Sequence, residues 1–160
     1  RQKLIAEMKA LFGSDEKRIS HALAVLGQAE KINQSHGADE VIVTAAAILH
    51  DIGIQEAERV HGSNAGKYQE IEGPPIAGVI LEKLNIPKNA IELICAIIAN
   101  HHSAKDKPIV ATKEFQVIWD ADWLVNFNDV YPNIDPVKKC ELIESIFKTK
   151  MGRQLAENLL

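Results

Sequence analysis

The stretch Val41-Ile42-Val43-Thr44-Ala45-Ala46-Ala47-Ile48-Leu49 restricts the fold more than any other part of the chain: it is apolar on every side of a helix, and it runs directly into His50-Asp51-Ile52-Gly53. A helix that is hydrophobic all round belongs in a core, so the rest of the chain must surround it. Asp39 offers its N-cap and Gly53 a stop signal. His50 and Asp51 then fall at its buried C-terminal end. An ionised carboxylate there is disfavoured twice, by loss of water and by the partial negative charge of the helix terminus, unless a cation is held beside it. A metal ion resolves the conflict; so does a structural ion pair with Arg18 or Arg59.

The flanking segments supply the surround. Leu4, Ile5, Met8, Leu11 and Phe12 recur at helical spacing and predict an amphipathic helix ending near Gly13. Ser14 is the expected N-cap of a second helix of about five turns, striped by Ile19, Ala22, Leu23, Leu26, Ala29 and Ile32, with His21 at the edge of the stripe. Ser35 to Gly37 closes it, and so short a loop makes it antiparallel to the buried helix. After Gly53, Gln55 to Val60 reads as a short helical piece. His61-Gly62-Ser63-Asn64-Ala65-Gly66-Lys67 reads as a surface loop. Its glycines do not make a phosphate-binding P-loop, because the spacing is one residue short and no strand precedes it. Pro74 and Pro75 suit the first turn of the next helix, whose apolar face is Ile76, Val79, Ile80 and Leu84. From Lys88, Ile91 to Ile98 mark another largely buried helix that again runs into imidazoles, Asn100-His101-His102. A polar linker, Ser103 to Pro108, leads to a helix over Lys113 to Asn128 that carries Asp120 and Asp122. Pro136 to Thr149 and Met151 to Leu160 complete the chain as packing helices. With no strand alternation, the expected fold is all-α: one domain over 1–160, a compact bundle of about seven to eight helices.

The 18 Lys and Arg against 22 Asp and Glu, without a basic block, argue against nucleic-acid polymers and anionic membrane surfaces as partners. The apolar runs stop short of the roughly 18 residues of a membrane span, and Arg1-Gln2-Lys3 lacks a signal-peptide core, so the expected location is cytoplasmic. The two cysteines, Cys95 and Cys140, lie in helical segments and read as packed free thiols.

His21, His50, Asp51, His101 or His102, and Asp120 or Asp122 form a set of polar residues at buried helix edges and ends. Imidazole with carboxylate and no thiolate suits a divalent Mn, Fe, Co, Ni, Zn or Mg ion. Helical periodicity does not choose between Asp120 and Asp122, since each shares a face with apolar neighbours.

The ordered set of His21, then His50-Asp51, then Asp122 within Asp120-Ala121-Asp122-Trp123-Leu124 resembles the signature of the HD superfamily of metal-dependent phosphohydrolases, over roughly Lys17 to Val125. The resemblance implies that His21, His50, Asp51 and Asp122 are metal ligands and that metal-activated water attacks a phosphoester or phosphoanhydride of a nucleotide or other small phosphorylated metabolite. Arg18 and Lys67 would then stabilise phosphate charge, His101, His102 or Glu72 would move protons, and Asp120 would orient a ligand or meet the substrate. Some members add a histidine before the fourth helix and others after the fifth to hold a second metal. Here Glu72 stands near the first of those places and His101-His102 match the later one, which favours one metal, with a Glu-assisted second metal as the variant. Two other functions fit the same superfamily: a di-iron oxygenase, which needs more histidines, and a metal-stabilised ligand-binding domain without turnover. Isolated histidines are commonly packed or surface residues, and Trp119 and Trp123 read as core. Leu155, Leu159 and Leu160 offer a surface for a homo-oligomer.

Overall fold

A computed structural model describes Arg1–Leu160. Ten helices follow one another: α1 Gln2–Phe12, α2 Glu16–His36, α3 Glu40–Leu49, α4 Ile54–His61, α5 Gly66–Lys83, α6 Lys88–Ile98, α7 Lys107–Val110, α8 Lys113–Val130, α9 Pro136–Ile146 and α10 Lys150–Leu159. The all-α bundle is the expected one, and the helix count rises through the short α4 and α7. No helix is long and apolar enough to cross a membrane.

The apolar run is α3, and its residues Ala45, Ala46, Ala47 and Leu49 are fully enclosed. The three alanines keep its girth small, so α2, α6 and α8 pack closely on it. Burial of Val43, Ile48, Leu49 and Ile52 contributes about 1.5–3 kcal/mol for each side chain. Asp39 starts α3 by accepting bonds from the amides of Val41 (2.9 Å) and Ile42 (3.1 Å). The helix ends at Leu49, with His50 in the C-cap position, because the chain turns at once through Asp51–Gly53 into α4.

Three boundaries differ from expectation for local reasons. Asp15, not Ser14, caps α2; its carboxylate accepts from the Arg18 amide. The loop after α4 contracts to the stretch between His61 and Gly66, since α4 continues to His61 and stops at Gly62, which is left-handed with φ 64°. Pro74 and Pro75 therefore fall in the middle of α5 rather than in its first turn. The carbonyl of Pro74 accepts the Cys95 thiol at 3.4 Å. Cys95 is half-buried as a packed thiol, whereas Cys140 is exposed.

Gly53 and Gly73 let two backbone segments approach closely. A Cβ on Gly53 would lie 2.7 Å from Gly73 Cα, and one on Gly73 would lie 2.7 Å from Ile98 Cγ2. α5 is thus wedged at Gly73 between α6 and the turn after α3, and that turn carries Asp51.

Asp120 is buried on the inner face of α8 and accepts the amides of Lys148 (2.8 Å) and Thr149 (2.7 Å). It gathers the non-helical Phe147–Thr149 segment between α9 and α10, so the helix expected over Pro136 to Thr149 ends at Ile146. The role expected of Asp120 at the ligand or substrate is corrected accordingly: both of its oxygens bind backbone amides. Burial raises its pKa against the opposing effect of those bonds.

Candidate metal centre

Three elements deliver four side chains to one point: α2 gives His21, the end of α3 and the turn after it give His50 and Asp51, and α8 gives Asp122. His21 Nε2 lies 3.2 Å from His50 Nε2, 3.5 Å from Asp51 Oδ2 and 3.2 Å from Asp122 Oδ1. His50 Nε2 lies 3.4 Å from Asp51 Oδ2 and 3.6 Å from Asp122 Oδ1. Bonds of about 2.1 Å place neighbouring ligand atoms about 3.0 Å apart around an octahedral ion and about 3.4 Å apart around a tetrahedral one. The observed separations fit a single ion.

The ring of His50 is turned for ligation. Its Nδ1–H donates to the Ala47 carbonyl at 2.8 Å, which leaves the Nε2 lone pair facing the two carboxylates. Burial favours the neutral ring, but the attraction of Asp51 and the bonds to Asp122 outweigh it and hold the His50 pKa well above its ordinary value. Burial likewise pushes Asp51 and Asp122 up, yet their histidine partners hold both well below the usual carboxylate range. The cluster therefore stabilises positive charge at its centre, and a proton on His50 or a metal ion supplies it.

The other oxygen of Asp51 faces a second pair of imidazoles. Oδ1 is 3.2 Å from His101 Nε2 and 3.9 Å from His102 Nε2. His101 repeats the arrangement of His50, with Nδ1–H donating to the Ile98 carbonyl at 2.7 Å. His102 is more open, and burial together with the neighbouring His101 lowers its pKa to about 4, so its ring is neutral at physiological pH. Either trio, His21–His50–Asp51 or Asp51–His101–His102, could hold a metal ion.

The centre floors a cleft of about 480 Å³ whose wall includes Lys17, Arg18, Asn64 and Asn126. Arg18 is braced by Asp15 at 2.9 Å and by Glu58. Two expected residues lie elsewhere. Glu72 is bound by His61 at 2.8 Å, and Lys67 sits over the Tyr68 ring at 4.7 Å without lining the cleft. Gln69, one helical turn before Gly73, meets His102 instead, with Oε1 3.2 Å from Nε2. Glu70 accepts the amides of His102 (3.0 Å) and Ser103 (2.7 Å) and fixes that turn. Neither residue carried a sequence signal, since both fell between the loop expected to end at Lys67 and the helix expected to open at Pro74. Trp119 and Trp123, expected as core, are only half-buried.

An all-α bundle with imidazoles and carboxylates gathered at helix ends defines a class of metal-binding helical domains. The HD domain family model matches residues 18–126, and the chain belongs to that family. No curated protein sequence matches the chain. Among solved structures it is similar to a predicted HD superfamily hydrolase from an uncultured Thermotogales bacterium, with TM-score 0.68 and 21% identity over 99% of this chain and 83% of that one. An HD-superfamily hydrolase from Bacillus thuringiensis aligns with TM-score 0.68 and 19% identity, over 99% of this chain and 87% of that one. At these identities the likeness is one of fold.

Proposed function

We propose that this protein is a metal-dependent phosphohydrolase acting on a nucleotide or another small phosphorylated metabolite, with His21, His50, Asp51 and Asp122 as the metal ligands. The observation that carries it is that His21 Nε2 and His50 Nε2 lie 3.2–3.6 Å from each other, from Asp51 Oδ2 and from Asp122 Oδ1, at the floor of a cleft with cationic side chains in its wall. Family membership and the hydrolase names of the two structural neighbours support it. A divalent ion held there polarises a phosphoryl oxygen and lowers the pKa of water toward neutrality.

The chain's own residues do the rest. Lys17 and Arg18 face an incoming phosphate; because Arg18 is shared with Asp15 and Glu58, Lys17 is the freer charge. His101 orients the Asp51 carboxylate through Oδ1. His102, neutral and open to the cleft, accepts a hydrogen bond from water or a substrate hydroxyl and has no proton to donate as an imidazolium at neutral pH.

The bracketing of Asp51 by His101 and His102 favours one variant of this proposal, a second ion sharing Asp51. Gln69, rather than the expected Glu72, then stands beside it. Elemental analysis of the purified protein and of Asp51→Asn, with phosphate release measured under Mn²⁺ or Co²⁺, tests both forms. One or two metals per chain, lost together with phosphate release in the variant, is the expected result. Two irons without phosphate release would move the assignment to an oxygenase, and metal with saturable ligand binding but no product would leave a binding domain.

A further inference from the structure

Beside the metal centre lies a smaller cleft of about 240 Å³, walled by Trp119, Trp123 and Val130 and meeting the larger one at His102, Asp122 and Asn126. We propose that it is a subsite for a nucleobase: a flat aromatic ring of the substrate stacks on Trp123 while its phosphate reaches the metal centre. This rests on the phosphohydrolase proposal for the neighbouring site and narrows its substrate to nucleotides.

Four observations converge on a flat ring. The volume falls below the about 300–1,000 Å³ of sites that enclose a whole drug-sized ligand, which suits one ring system rather than an entire nucleotide. The Trp123 ring is already part of an aromatic ladder, 6.3 Å from Trp119 and 6.2 Å from Tyr131, the latter at an interplanar angle of 12°. Trp119 is pinned, its indole N–H donating to the Ile146 carbonyl at 3.0 Å, and Lys148 covers it at 5.0 Å. Trp123 has no such bond within the protein, and it is half-buried at the cleft wall. A large, rigid aromatic left open beside a polar centre is a stacking platform.

Asn126 adds direction at the junction. Its Nδ2 donates to Asp122 Oδ1 at 2.7 Å, an orientation forced by chemistry because an ionised carboxylate only accepts. The amide carbonyl is thereby left as an acceptor where the two clefts join, a place suited to a sugar hydroxyl between base and phosphate.

The chain contains two tryptophans and both line this cleft, so only two indole N–H resonances need assignment, and that of Trp123, which has no hydrogen bond within the protein, is the reporter. The test titrates metal-free ¹⁵N-labelled protein with adenosine, which has no phosphate to hydrolyse, and with ribose as the control. Adenosine should shift the Trp123 indole signal saturably and ribose should leave it in place. Trp123→Leu should weaken adenosine binding, followed by calorimetry, at least about fivefold, the lower end of what stacking a base on an aromatic side chain contributes. Trp123→Phe, which keeps a ring, should retain most of it. Unmoved indole signals with adenosine, an equal response to ribose, or undiminished adenosine binding by a folded Trp123→Leu would each overturn the inference. If Trp123→Leu does not fold, the Trp123→Phe comparison and the wild-type titration still decide. A protein that releases phosphate yet ignores adenosine refutes this subsite alone; one that binds adenosine yet releases no phosphate from any substrate refutes the hydrolase proposal alone.

Discussion

Exchanging glycine for alanine at two positions should move stability in opposite directions, for reasons visible in the packing. Gly53 has φ −81°, so alanine is not strained there by its backbone angles. The obstacle is Gly73: the new methyl would sit 2.7 Å from its Cα and closer still to its nitrogen. Backbone of a helix packed on α6 cannot rotate aside as a side chain would. Overpacking of this kind costs typically about 1–3 kcal/mol, and backbone opposition puts Gly53→Ala at about 3 kcal/mol. For a chain of this size that is a fall in melting temperature of about 6–12 °C. Gly27, in the interior of α2, would meet nothing within 4 Å, so Gly27→Ala removes only the conformational freedom of glycine and should gain about 0.5–1 kcal/mol. Calorimetric melting of both variants gives the signs, and Mn²⁺ titration follows Asp51, which lies two residues from Gly53. A Gly53→Ala protein that melts within about 1 °C of wild type and binds metal unchanged would refute the wedge, as would a Gly27→Ala protein that is less stable than wild type.

Asp51→Asn should lose metal by more than the about 10–100-fold that removal of an outer-shell partner costs, read by elemental analysis after dialysis. Because the His50 pKa is raised in the metal-free fold, protons compete with metal at this ring. Affinity for Mn²⁺ should fall as pH drops through that raised value, by up to about tenfold per pH unit for each proton displaced; titration calorimetry that finds affinity flat between about pH 8 and pH 6 would contradict it. Asp120→Asn leaves one carbonyl oxygen for two backbone amides and should lose about 1–3 kcal/mol in denaturant unfolding. Metal content per folded molecule should remain intact. Gly152→Ala pushes a methyl against the same carboxylate, so it should also destabilise, and the double variant should fall short of additivity.

The candidate metal ligands were legible from one physical signal and the family resemblance together. A wholly apolar helix ending in a carboxylate demands a compensating cation, and His50-Asp51 meets that description without any structure. Asp122 was separable from Asp120 only by the family resemblance, since the two share equally apolar faces; what divides them is the far side of α8, where the amides of Lys148 and Thr149 wait for Asp120. Glu72 and Lys67 were misplaced for one reason, the assumption that proline opens a helix. Starting α5 at Gly66 instead turns Gln69 and Glu70 toward His102 and leaves Glu72 to His61. That start depends on close packing over glycine: a Cβ on Gly66 would lie 2.7 Å from the His102 ring, a contact between segments far apart in the chain. Periodicity cannot report it.

Pro74 and Pro75 divide α5 energetically as well as geometrically. Neither has an N–H, so the carbonyls of Glu70 and Ile71 lack their partners four residues on, and the ladder of bonds is interrupted between the two halves. The later half buries Ala77, Ile80 and Leu81 in the core, while the earlier half, Gly66 to Gly73, buries Gln69 and Glu70 against the His102 turn. The two halves can therefore open with different free energies. Amide hydrogen exchange should divide the helix at the prolines, the earlier half exchanging faster. One wall of the candidate metal centre, where Gln69 and Glu70 meet the His102 turn, would then loosen before the helical core around α3 unfolds.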